Sequence, residues 1–136
     1  MSQPSIATVT IDDVKFKSLS ASLRLVTPED FTGRPQIGAH HTNIDIIVDA
    51  HDNQNLPFAN LKRLYELSRH VTEEAIVDMK IECWTDDSAQ DTICVWKFRG
   101  WISHFQLHTG HGNHELHLGL HPALKSDQTL DLEMTN

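Results

Sequence analysis

Apolar residues recur at every second position through most of this chain, and few folds satisfy that pattern. Residues 19–26 place Leu19, Ala21, Leu23 and Leu25 on one side and Ser20, Ser22 and Arg24 on the other. Residues 42–50 resume with Ile44, Ile46 and Val48 in phase, and residues 75–84 alternate Val77, Met79, Ile81 and Cys83 against Asp78, Lys80 and Glu82. Residues 114–121 set Leu116, Leu118 and Leu120 against Glu115, His117 and His121. A period of two belongs to strands with one buried and one wet face. Many such strands, separated by turn chemistry, predict a mainly β fold, a barrel of two packed antiparallel sheets.

The remaining punctuation fits that architecture. Residues 6–16 read as a first strand broken at Asp12-Asp13. The stretch from 27 to about 41 holds Pro28, Gly33, Pro35 and Gly38, and reads as a long loop of the kind that usually serves a function. The turn Thr85-Asp86-Asp87-Ser88 leads into a strand over 92–107, in which Gly100 marks a bend or bulge. Leu130, Leu132 and Met134 keep the period of two and predict a short edge strand in the tail.

One segment has helical spacing. Over residues 56 to about 70, Leu61, Leu64, Tyr65 and Ser68 share a face, with Asn55 as the expected cap and Pro57 in the first turn. Leu61, Leu64 and Tyr65 are the expected core face of this helix. A single helix among many strands must cover an opening or lie on one sheet.

Composition narrows the function classes. At 136 residues with 39% hydrophobic and 22% charged residues, the chain suits one domain spanning 1–136. A net charge of -8 argues against nucleic acid, which demands a basic surface. No run approaches the roughly 18 apolar residues of a membrane helix, so no membrane insertion is expected. The first residues, Met1-Ser2-Gln3-Pro4-Ser5, lack the basic and apolar regions of a signal peptide. Cys83 and Cys94 are too few for a disulfide scaffold; they sit either side of a turn, either as two free thiols or as a pair across a hairpin.

Chemistry-bearing residues concentrate near the C-terminus. His104, His108, His111, His114, His117 and His121 are six of the ten histidines. Strand parity groups His104 and His108 with Ile102 and Gln106, and a hairpin would bring His104, His108, Glu115 and His117 to one surface. Those histidines are either a solvated sheet face, a candidate channel lining, or a metal site. The spacing contains no HExxH motif, and the chain has no GxSxG elbow or P-loop. No catalytic residues, cofactor or metal are therefore assigned, and the residues point away from an enzyme.

The segment Ser20-Ala21-Ser22-Leu23-Arg24-Leu25-Val26-Thr27-Pro28-Glu29-Asp30-Phe31-Thr32-Gly33-Arg34-Pro35 resembles the early strand and following loop of Hcp-like tube proteins of type VI secretion, in the branch with a Thr-Gly-Arg-Pro loop. The order of elements matches as well, over residues 19–132. The resemblance implies a β-barrel with one helix on its side, hexameric rings stacked into the inner tube of a contractile injection machine, and effector cargo. Its partners would be further copies of the chain and the sheath, spike and effector proteins. Thr32, Gly33, Arg34 and Pro35 would lie in a loop that reaches the neighbouring subunit or ring. The protein would assemble in the bacterial cytoplasm and leave without a signal peptide. A phage-type tail tube protein shares this fold logic, and a small metal-dependent enzyme built on the histidines is the reading from another class.

Overall fold

The computed structural model describes residues 7–27, 29–34, 41–69, 72–85, 90–124 and 132–136. Its strands are β1 (Ala7–Ile11), β2 (Val14–Ser18), β3 (Ser20–Val26), β4 (His41–Asp49), β5 (Val77–Trp84), β6 (Thr92–Gly110), β7 (Asn113–Pro122) and β8 (Leu132–Thr135). Among the described residues the one α-helix, α1 (Phe58–Arg69), falls between β4 and β5, and a short 3-10 turn, Glu73–Ala75, leads into β5. Pro28, Pro35, Gly38, Asp86, Asp87, Ser88 and Leu130, all named from the sequence, and residue 70 at the expected helix end lie outside the described residues.

The period of two produces the sheet directly. In β5, Val77, Met79 and Ile81 are buried; in β7, Leu116, Leu118 and Leu120 are. The strands form one eight-stranded antiparallel sheet in the order β2-β1-β5-β6-β7-β4-β3, with β8 on β6. The expected mainly β architecture with a lateral helix is present. The two packed sheets expected from the pattern are instead parts of one continuous path, and that path is not closed by pairing between its ends.

The chain itself joins the two ends of the path. The two ends of the path, β2 and β3, are consecutive in sequence, with Leu19 alone between Ser18 and Ser20. Leu19 N–H donates to Ile47 O at 2.8 Å, so this corner is pinned to β4. One core therefore gathers Val9, Ile11 and Phe16 from one end of the path, Ile44, Ile46 and Val48 from the other, and Leu56, Leu64 and Leu67 around the helix. Burying such aliphatic side chains contributes about 1.5–3 kcal/mol each.

Three local expectations change. Residues 6–16 are not one broken strand: β1 and β2 make a hairpin in which Ile11 pairs with Val14. Its first turn residue, Asp12, takes φ 56, a left-handed conformation that Asp tolerates better than most residues. The irregularity in β6 sits between Ile102 and His104 rather than at Gly100. Gly100 serves close approach instead, since a Cβ there would lie 2.3 Å from the backbone oxygen of His121. The helix cap also differs: Asp52 organises the entry, its Oδ1 accepting from Gln54 N–H at 3.1 Å and Asn55 N–H at 3.2 Å. Pro57 O then accepts from Asn60 and Leu61 N–H, both at 3.0 Å, to start the helix.

Candidate functional site

Two places hold the residues singled out from the sequence: the turn that follows β3, and the outer face of the β6–β7 hairpin. The turn is ordered by one carboxylate. Asp30 Oδ1 accepts from the Thr32 hydroxyl, from Thr32 N–H at 2.8 Å and from Arg34 N–H at 3.1 Å. Asp30 N–H donates to Arg34 O at 2.8 Å, and Gly33 N–H donates to Asp30 O at 3.0 Å. These donors, the Thr32 hydroxyl first and then the Arg34 and Thr32 amides, hold the Asp30 carboxyl below its ordinary value.

Gly33 has φ +84 with open space around it, a conformation glycine adopts without steric penalty. The knot of hydrogen bonds leaves Phe31 fully exposed at its tip, at 102% of its reference accessibility. Thr32, Gly33 and Arg34 thus form one compact turn. Asp30 and Phe31 were not singled out, although the Asp-x-Thr pattern carries a recognisable side-chain-to-backbone turn signal.

On the hairpin, Leu116, Leu118 and Leu120 face the core, which turns Glu115, His117 and His121 outward. Register places His104 opposite Gly119, Gln106 opposite His117 and His108 opposite Glu115. His104, His108, Glu115 and His117 therefore do share one outer surface. The grouping with Ile102 is corrected: the extra residue Ser103 shifts parity by one, so Ile102 is buried while His104 is exposed.

Local partners occupy these rings. His104 Nε2 lies 3.3 Å from Gln106 Oε1 and His117 Nε2 lies 3.1 Å from Glu115 Oε2. His121 stacks on Trp101 at 4.6 Å, and His114 on His51 at 5.3 Å. Among the described residues, no three His, Cys, Asp or Glu side chains come together closely enough to hold a metal ion.

The polar face of β3 continues this surface. Ser22 pairs with Asp45, which pairs with Gly119, and Ser20 pairs with Ile47, which pairs with His117. The polar face of β5 belongs to a different region, with Lys15, Lys17, Lys80, Lys97 and Arg99 outnumbering Asp78, Glu82 and Glu133. A chain with a net charge of -8 thus concentrates basic residues on one part of its sheet.

The expected helix face is partly redistributed. Leu64 is fully buried and Leu61 partly so, while Leu67 fills the place expected for Tyr65. Tyr65 is 48% exposed, its ring edge against Phe105 at 5.8 Å. A stripe through Leu61, Leu64 and Leu67 follows the i, i+3 row, and Tyr65 falls beside it. Among the described residues, no helix is long and apolar enough to cross a membrane.

These features together are the Hcp-like fold, an antiparallel sheet curled round one core with a single lateral helix. Hcp1 from Flavobacterium johnsoniae is similar over 95% of this chain and 94% of its own, with a TM-score of 0.65 and 14% identity. Hcp1 from the E. coli EAEC 042 pathovar, in a doubly tryptophan-substituted form, matches over 96% and 97%, with a TM-score of 0.63 and 10% identity. A further Hcp protein matches over 85% and 86%, with a TM-score of 0.61 and 11% identity. No protein-family model matches the sequence, and no curated protein sequence does either.

Proposed function

We propose that this chain is a structural subunit of the inner tube of a type VI secretion, or contractile injection, machine, and that it has no catalytic activity. It forms hexameric rings that stack, carry effectors and meet the sheath and spike. It is assembled in the bacterial cytoplasm and then secreted. The observation that carries this reading is the likeness to Hcp structures along nearly the whole chain, with no large unmatched segment on either side.

The ordered turn adds to it. Phe31 stands fully exposed on a turn fixed by Asp30, which is how an apolar anchor is presented to a second surface. Stacking of rings requires a heterologous contact between two different surfaces of the same subunit, and this turn is offered as one of them.

Native mass and negative-stain microscopy of the purified protein test the reading. A particle near the mass of six 15.4 kDa chains, seen end-on as a ring with a hole, is expected. A monomer that persists at high concentration overturns it. Deleting residues 32–35 should leave a folded subunit whose rings no longer stack; normal tubes from that variant would remove the turn from the contact.

A further inference from the structure

Cys83 and Cys94 are Cα partners across the β5–β6 ladder. Direct partners in an antiparallel pair have Cα atoms about 4.5 or 5.5 Å apart, and both spacings lie within the roughly 4.4–6.8 Å range that a disulfide spans. Both side chains point to the inner side of the sheet, Cys83 in phase with Ile81 and Cys94 in phase with Trp96, and both are half-buried. Cys94 lies close enough to Cys83 to help push its thiol's pKa up.

Two further features favour bond formation. The ladder register shifts between Cys83 and Trp84, so the backbone beside the pair is not held in regular pairing. A cavity of about 220 Å³, lined by Ala21, Ser22, Leu23, Ile81, Cys83 and Trp96, lies on the Cys83 side of the pair and gives that side chain room to turn toward Cys94.

We propose that Cys83 and Cys94 are a modification site, forming an intrachain disulfide by exchange with a small-molecule disulfide such as oxidised glutathione. The Cys94 thiolate attacks one sulfur of the reagent, forming a mixed disulfide and releasing one thiolate of the reagent. Cys83 then loses its proton and attacks the Cys94 sulfur, closing the protein S–S bond and releasing the second thiolate. Two protein thiols are oxidised and one reagent disulfide is reduced to two thiols. Burial, and then the adjacent Cys94, push the Cys83 thiol up to about 11, which keeps it protonated at neutral pH during the first step; capping Cys94 removes the smaller, charge part of that shift before the second. The bond would clip the β5–β6 hairpin and constrain the unfolded chain. This chemistry does not rest on the tube reading.

The test uses the full chain, equilibrated with either dithiothreitol or oxidised glutathione at neutral pH, then acid-quenched, denatured and alkylated. Two alkylated thiols are expected after dithiothreitol and none after oxidised glutathione, with the intact mass reduced by two hydrogens. The tryptic peptide 81–97, which contains both cysteines, should carry the internal bond, and the thermal midpoint should be higher in the oxidised form. Cys83→Ser should halt at a glutathione adduct on Cys94. Persistence of two alkylatable thiols, a glutathione adduct as the stable product of the unmodified sequence, or a disulfide-linked dimer would each overturn the proposal.

Discussion

Asn55 lies against Lys17 as a neighbouring strand would: its side-chain oxygen accepts Lys17 N–H at 2.8 Å, and its amide nitrogen donates to Lys17 O at 2.7 Å. One side chain thus covers a stretch of the outer edge of β2, which among the described residues pairs with β1 alone in the sheet. Uncovered edges are templates for unwanted pairing. Asn55→Ala removes both bonds and should cost about 1–2 kcal/mol, at roughly 1 kcal/mol for each net hydrogen bond. Urea unfolding checks this, and an unchanged midpoint would show that water replaces the amide fully.

Gly100 and His121 cannot separate without opening the seam between β6 and β7. With a Cβ set 2.3 Å from a backbone oxygen, Gly100→Ala must displace main chain, and a loss of about 2–3 kcal/mol is expected, at the upper end of ordinary overpacking. Gly119→Ala meets side-chain atoms instead, His104 Cβ at 2.9 Å and Ser103 Oγ at 3.0 Å. His104 Cβ is fixed by its own backbone, but an approach of 2.9 Å is less severe than the 2.3 Å at Gly100, so Gly119→Ala should be the milder change. Thermal melts of the two variants side by side decide the order.

The helix offers a contrast between adjacent residues. Leu64→Ala should destabilise by about 2–5 kcal/mol, the cost of emptying a buried leucine site, and Leu64→Asp should prevent folding because it buries a charge. Tyr65→Ala loses one edge-on ring contact at an exposed position and should cost about 1 kcal/mol or less. Equal effects at the two positions in chemical denaturation would contradict the stripe through Leu61, Leu64 and Leu67.

Acid should loosen the turn after β3 before it unfolds the sheet. The Asp30 carboxyl is held below 3.8 by Thr32 and Arg34, so its contribution is fully present above that value. It is lost as pH falls through the lower, folded-state value. NMR titration of the Thr32 and Arg34 amides should show a midpoint below 3.8 and little change between pH 5 and 7. A midpoint at or above 3.8 would show that the carboxylate does not hold the turn, and Asp30→Asn should shift both amides at every pH.

Much of this architecture was legible in order of residues. The period of two at Ile44, Ile46 and Val48, and again at Leu116, Leu118 and Leu120, marks strands because each residue's side is set by the pleat of its own strand. The histidine face was legible for the same reason, up to Ser103. There the pattern failed, because a bulge is created by two strands whose lengths do not match, and neither strand records the mismatch alone.

The chain by itself therefore determined most of the elements: the alternating strands apart from the division of residues 6–16 into β1 and β2, one amphipathic helix, and a loop after β3 whose described hydrogen bonds are all local. Those outcomes depend on backbone geometry and on neighbours within a few residues. Only the tertiary structure decided that β2 and β3 are the two ends of one curled sheet, that Leu67 rather than Tyr65 enters the core, that Asn55 serves Lys17 instead of its own helix, and that Cys83 faces Cys94. Each of these depends on which distant segment arrives alongside, and that choice is made by the burial of the whole core at once.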